Sequence, residues 1–330
     1  MTISLDLLSV EHVNISFKND KSLNIPAVRD LSFHIQQGET VGLVGESGCG
    51  KSVTALSLMQ LVEKNTSSIE GNIVFEGENL NTFSEKEMQE VRGNKISMIF
   101  QEPMTSLNPV HKIGKQISEV LFLHGFATRA NSKEKTIEIL RKVGIPRAES
   151  IINEYPHQLS GGMRQRVMIA MAMACNPKLL IADEPTTALD VTIQAQILDL
   201  MKKLQQQYHT AILLITHDLG VISEMADRVI VMYYGQIVEQ ADVRIIFKNP
   251  KHPYTIGLLN SVPNIYSESN DRLTPIEGNV PNIGAIKEGC PFRFRCQQVH
   301  AKCHEHNPSL FKLDSQLVRC WLYEEQGVKA

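Results

Sequence analysis

The stretch Gly45-Glu46-Ser47-Gly48-Cys49-Gly50-Lys51-Ser52 fits the spacing G-x-x-x-x-G-K-[ST]. That spacing can cradle a chain of phosphates. Glycines let backbone N–H groups turn inward around an anion. A helix beginning there points its positive end at the same anion. Lys51 adds a point charge for the β- and γ-phosphates, and the Ser52 hydroxyl suits Mg²⁺. Gly45, Ser47, Gly48, Cys49, Gly50, Lys51, Ser52 and Val53 are the candidate binding residues. The bland alternative is a glycine-rich turn that matches by accident. The apolar run Thr40 to Val44 before it and the helical run Ser52 to Leu61 after it supply the required strand and helix.

A second chemical feature is Leu179-Leu180-Ile181-Ala182-Asp183-Glu184, an apolar strand ending in two carboxylates. Asp183 suits Mg²⁺ at a strand tip. Glu184 beside it suits orienting or deprotonating a water. Taken alone, two ordinary acids at a strand end explain the pair equally well. The phosphate cradle upstream shifts the balance towards a joint site.

A third feature is the set Cys290, Cys296, Cys303 and Cys320, spaced by five, six and sixteen residues. In a reducing compartment such a set suggests metal more than disulfides. Four thiolates suit a [4Fe–4S] cluster or Zn²⁺. Paired C-x₂-C knuckles are absent, which favours the cluster over zinc; free or oxidised thiols remain a third reading. His300, His304 and His306 nearby read as surface residues. Cys175 reads as buried, and Cys49 as a tolerated small side chain in the cradle.

The elements that must position these residues alternate along the chain. Leu5 to Phe17 and Val28 to Ile35 alternate like strands, and Thr40 to Val44 is a short buried strand. Ile73 to Phe75, Ile96 to Phe100, Leu179 to Ala182, Ala211 to Thr216 and Val229 to Met232 read as further strands. Tyr233 to Val238 reads as a hairpin around Gly235, and Ala195 to Gln207 as a helix. From about Met104 to Ala174 the texture is helical, with loop signals at Asn131-Ser132 and Tyr155-Pro156. Strand and helix in alternation imply an α/β fold with a mostly parallel sheet. Near residue 245 the pattern gives way to Pro, Gly and Asn. We therefore expect a domain over 1–245, with a helical insert at about 104–174, and a loop-rich extension over 246–330.

The 330 residues are 42% hydrophobic and 21% charged, with a net charge of -3. This is an ordinary globular composition, and it gives no general attraction for nucleic acid. No apolar run reaches the roughly 18–20 residues that span a bilayer. The first residues lack the basic and apolar regions of a signal peptide. The expectation is a cytosolic chain, with any membrane span supplied by another subunit.

The segment Leu159-Ser160-Gly161-Gly162-Met163-Arg164-Gln165-Arg166 resembles the LSGGQ signature of the ABC ATPases, with Met163 where glutamine is usual. The resemblance runs over about residues 5 to 245. It implies a P-loop ATPase with an N-terminal antiparallel β subdomain and ATP and Mg²⁺ as cofactors. Ser160, Gly161 and Gly162 would then cradle the γ-phosphate of an ATP held by an opposing subunit. Gln101, in Phe100-Gln101-Glu102-Pro103, resembles the Q-loop glutamine that reaches Mg²⁺ and water. Asp190, in Ala188-Leu189-Asp190, resembles the D-loop acid facing the partner's site. His217 resembles the switch histidine that touches the γ-phosphate. Phe17 is the candidate to stack on adenine, with a core or hairpin phenylalanine as an equal reading.

Two further stretches look like the branch that imports peptides or nickel. One is Gln101-Glu102-Pro103-Met104-Thr105-Ser106-Leu107-Asn108-Pro109. The other is His252-Pro253-Tyr254-Thr255 followed by Gly257-Leu258-Leu259. The chain is similar to the D-type ATPases of the oligopeptide and dipeptide permeases. This implies pairing with a homologous F-type ATPase, two membrane permeases and an external binding protein, with the chain peripheral on the cytoplasmic face. Import of di- or oligopeptides leads, with nickel or other metal chelates second. A soluble ABC ATPase acting on DNA or ribosomes would carry two ATPase domains or a coiled coil, and a redox enzyme would need a partner reductase.

Overall fold

The computed structural model describes residues 6–18, 24–101, 106–187, 189–261 and 275–330. The readings made on Leu5, on Glu102 to Thr105 and on Ala188 lie outside the described residues. The backbone forms two compact units.

The first unit comprises Met1–His34, Thr40–Asn81 and Thr216–Ala330. Its antiparallel sheet is ordered β2-β1-β4-β5, from β1 (Leu8–Lys18), β2 (Asn24–Ile35), β4 (Ser67–Phe75) and β5 (Glu78–Asn79). Val10, Val13 and Ile15 of β1 are buried. The register with β4 shifts between Glu11 and Asn14. Gly71 lies opposite with φ +92°, and a Cβ there would strike the carbonyl oxygens of His12 and Glu11 at 2.5 and 2.6 Å. Only glycine fits where the bulge brings two backbones this close.

The same unit holds β3 (Thr40–Val44), buried at every position, parallel to β9 (Arg228–Tyr233). A turn at Tyr234 and Gly235 returns the chain as β10 (Gln236–Asp242), antiparallel to β9. The tail beyond residue 245 is joined to this sheet. β12 (Gln316–Val318) pairs with β10, and β11 (Phe311–Leu313) pairs with β12 and with β13 (Val328–Lys329). The His252-Pro253-Tyr254-Thr255 segment opens the helix Pro253–Asn260. His252 Nδ1 accepts the Tyr254 N–H at 3.0 Å, and proline occupies the first turn, where it needs no donor. Beneath this cap, Glu239 of β10 is fully buried and accepts the N–H groups of Lys251 and His252 at 2.8 and 2.9 Å.

The second unit comprises Ile35–Glu39 and Thr82–Ile215. Its strands β6 (Ile96–Ile99), β7 (Leu179–Asp183) and β8 (Ala211–Ile215) run parallel in the order β8-β7-β6. All residues of β7 and β8 are buried, as expected for strands covered on both faces. The longest described helices of the unit are Ile113–Leu123, Ser132–Lys142, Gly161–Ala172 and Val191–Tyr208. Asn131, read from sequence as a loop, stands at the N-cap position of a helix without a side-chain capping bond, and Tyr155-Pro156 opens a 3₁₀ turn. The fold is the expected α/β arrangement with an added antiparallel sheet.

Candidate functional site

In the first unit the glycine loop of residues 45–50 leaves the buried strand β3 and enters the helix Lys51–Leu58. Gly45, Gly48 and Gly50 have φ +154°, +80° and +107°. The three glycines are required for different reasons. A Cβ on Gly45 would meet the Met232 carbonyl oxygen at 2.3 Å and Cys49 Sγ at 2.7 Å. A Cβ on Gly48 would meet nothing within 4 Å, so that position needs glycine for its backbone alone. Gly50 caps the helix in the left-handed conformation.

Lys51 folds back over the loop. Its Nζ donates to the carbonyls of Gly45 at 2.6 Å and Glu46 at 3.0 Å, and the residue is buried. Cys49 is fully buried beside Nζ at 3.7 Å, and burial raises its thiol pKa against the pull of Lys51. Cys49 is therefore a packing residue of the loop. Ser47 and Ser52 are exposed, and Val53 is half-buried.

Phe17 lies half-buried on β1, opposite Ser67. His217 is exposed, just before the helix Leu219–Met225 that Asp218 caps by accepting from Gly220 N and Val221 N.

In the second unit Asp183 ends β7 and is 5% exposed. Glu184 follows with φ +49°, a left-handed conformation that a glutamate adopts only at a cost. Its N–H donates to the Ile215 carbonyl at 2.8 Å, which fixes the turn. Its carboxylate Oε2 accepts from Gln101 Nε2 at 3.3 Å and from Thr187 Oγ1 at 2.7 Å. Gln101 and Glu184 are brought together across 83 residues. Thr187 has no place in the motif reading, although a hydroxyl three residues beyond a turn glutamate is a visible signal. Gln165, in the signature segment, donates to the Pro185 carbonyl and so ties that segment to the same turn.

Ser160 caps the helix Gly161–Ala172, its Oγ accepting from Met163 N at 3.3 Å. The first turn carries no acidic residue, so its N–H groups keep an anion-binding character. A Cβ on Gly162 would meet Ile193 Cγ2 at 2.9 Å, whereas Gly161 has only Leu189 Cδ2 at 3.8 Å. Asp190 caps the helix Val191–Tyr208 through Ile193 N at 3.0 Å.

The tail cysteines are all free thiols. Cys290 N donates to the Cys303 carbonyl at 2.8 Å. Burial pushes the Cys290 thiol up to about 11 and that of Cys320 up to about 12, with smaller contributions from the neighbouring cysteines. The four are thus near enough to feel one another's charge. Among the described residues, however, no group of three or more His, Cys, Asp or Glu is arranged to hold a metal ion. The iron–sulfur or zinc centre expected from the spacing is not supported by this side-chain arrangement.

Comparison with known proteins agrees with this layout. The ABC transporter family matches residues 28–187, and the oligopeptide/dipeptide transporter C-terminal region matches residues 238–303. The chain is 56% identical to the oligopeptide transport ATP-binding protein AppD of Bacillus subtilis, over 98% of each chain. It is 48% identical to the oligopeptide transport ATP-binding protein OppD of Salmonella typhimurium, over 92% of this chain and 89% of that one. A solved structure of the ATP-binding cassette MJ0796, a dimer in a post-hydrolysis state with ADP and Pi, superposes with a TM-score of 0.64. It is 28% identical and covers 72% of this chain and 99% of that one.

Proposed function

We infer function from membership: this chain belongs to the ABC transporter family, in the branch with the oligopeptide/dipeptide transporter C-terminal region, and we propose that it hydrolyses ATP to power peptide import. The observation that carries the reading is the carboxylate of Glu184, on a strained turn after a buried strand and held by Gln101 and Thr187. A carboxylate so held can orient a water and take its proton as the oxygen attacks the γ-phosphorus and ADP leaves.

The other roles follow residue by residue. Gly45, Ser47, Gly48, Cys49, Gly50, Lys51, Ser52 and Val53 form the phosphate cradle. Ser52, Asp183 and Gln101 offer hard oxygen donors of the kind Mg²⁺ prefers, and the ion would neutralise charge on the β- and γ-oxygens. His217 contacts the γ-phosphate, and Phe17 stacks on adenine. Ser160, Gly161, Gly162 and Asp190 serve the ATP of the facing subunit. Residues 1–245 run the nucleotide cycle, with 104–174 as the insert that meets a permease, and 246–330 form the extension.

No described helix is long and apolar enough to cross a membrane. The chain works beside membrane permeases and a similar ATPase subunit. More specifically, we assign it an F-type partner, two permeases, an external binding protein and a peripheral place on the cytoplasmic face. We keep a [4Fe–4S] cluster, with Zn²⁺ as the alternative, as a reading of Cys290, Cys296, Cys303 and Cys320. Its support is the four thiols gathered on one short tail.

The test is Glu184→Gln. The variant should bind MgATP as the unmodified chain does, fail to hydrolyse it, and accumulate as a closed dimer. Undiminished hydrolysis would remove Glu184 from this role.

A further inference from the structure

Glu46 fills one of the variable positions of the phosphate loop, and the motif gives its side chain no task. In the fold, that carboxylate is gripped by the C-terminal extension. Arg295 donates to it twice, from Nη1 at 2.6 Å and from Nη2 at 2.9 Å. The Arg295 side chain is 3% exposed, against 31% for Glu46. The guanidinium is held in turn by the carbonyls of Glu277 at 2.9 Å and Ile276 at 3.3 Å. It also lies over the rings of Tyr233 and Phe292, at 5.8 and 6.0 Å. The backbone of the same residue is fastened separately, since Glu46 N donates at 2.8 Å to the hydroxyl of the fully buried Tyr254. Tyr254, Tyr233 and Phe292 pack ring to ring, with centroids 4.7 to 5.4 Å apart.

We propose that Arg295 and Tyr254 are positioning residues for the nucleotide: by clamping Glu46 they hold the phosphate loop open and pre-shaped before the phosphates arrive. The proposal rests on the reading of that loop as the ATP cradle. A loop already fixed by a bidentate pair and a buried phenol loses little freedom when the ligand binds, and that saving appears as affinity. The rival view is that the ion pair merely glues the extension to the sheet. Glue affects the amount of folded protein; positioning changes affinity per folded molecule and depends on Glu46.

The full chain is purified with each substitution, and MgATP binding is measured by titration alongside hydrolysis. Arg295→Ala should weaken MgATP binding about tenfold and raise KM in step, with kcat at saturation within about twofold. Arg295→Lys keeps the charge without the planar fork and should recover part of the loss. In a Glu46→Gln background, Arg295→Ala should add little, because the pair acts as one unit. Tyr254→Phe keeps the ring packing and loses only the hydroxyl. It should weaken binding about threefold, and it remains informative if Arg295→Ala folds poorly. Binding at the unmodified strength in both Arg295→Ala and Tyr254→Phe would overturn the proposal. So would an undiminished effect of Arg295→Ala in the Glu46→Gln background. Lys51→Ala separates the two levels: if it still binds MgATP tightly, the cradle itself is misread, and if it does not, a failure at Arg295 counts against positioning alone.

Discussion

Replacing His252 with asparagine should flatten the response of stability to acid between about pH 7.5 and about pH 5. His252 is 2% exposed, with its ring 5.8 Å from that of Phe292. Its Nδ1 accepts an N–H, so that nitrogen carries no proton in the folded chain. Burial drives its pKa from 6.5 down to about 3. On acidification the unfolded chain takes up a proton near the ordinary value, while the folded chain refuses it. The stabilising contribution is therefore complete above about pH 6.5 and is lost progressively as pH falls towards about 3. At about 1.4 kcal/mol per pH unit, reaching pH 5 costs about 2 kcal/mol. Glu239, which accepts the His252 N–H, acts in the opposite sense. Burial raises its pKa, so its contribution grows as pH falls and is lost as pH rises through the raised value. The guanidinium of Arg319, a residue whose backbone hydrogen-bonds the ring, stays protonated over this range. Glu239 and Arg319 are retained in the variant, so the difference between the two proteins isolates the histidine. Asparagine can still cap the helix. The assay is urea unfolding at both pH values, followed by the fluorescence of Trp321, the single tryptophan, which lies in the same unit. The unmodified protein should lose about 2 kcal/mol more than the variant. Equal losses would refute the reasoning.

Thr187→Val keeps the shape of the side chain and removes the 2.7 Å hydrogen bond to Glu184. Steady-state kinetics should show kcat reduced roughly fivefold, for about 1 kcal/mol of lost positioning, with KM unchanged. Gly45→Ala places a methyl 2.3 Å from the Met232 carbonyl oxygen at φ +154°. Thermal unfolding should register a loss above about 2 kcal/mol, and nucleotide titration a loss of binding.

The glycine loop between β3 and the helix Lys51–Leu58 and the carboxylate strand end were legible because their signals are local: glycine spacing, an apolar run, two acids. The C-terminal strands were not. A strand of three residues such as Phe311–Leu313 shows no period, and β12 is extended because β10 offers it a ladder. The same holds for β4. Ile73 to Phe75 read as a strand, while Ser67 to Asn72 did not, since serine, glutamate, glycine and asparagine are poor strand formers and pairing with β1 imposes the conformation. Asn131-Ser132 read as a loop because cap residues and loop residues are the same types. The clamp on Glu46 joins residues 249 positions apart, and no spacing rule reaches that far.

β10 has a strand on either side, β9 from just before it and β12 from the tail, and six of its seven residues are buried. A fragment ended at the compositional break near residue 245 would leave one margin of β10 with unmet N–H and C=O groups beside uncovered apolar side chains. Such a rim recruits strands from other molecules. The tail thus covers that margin of β10 with a strand of the same chain. Proteolytic clipping there should produce clumping before it produces an inactive but soluble ATPase.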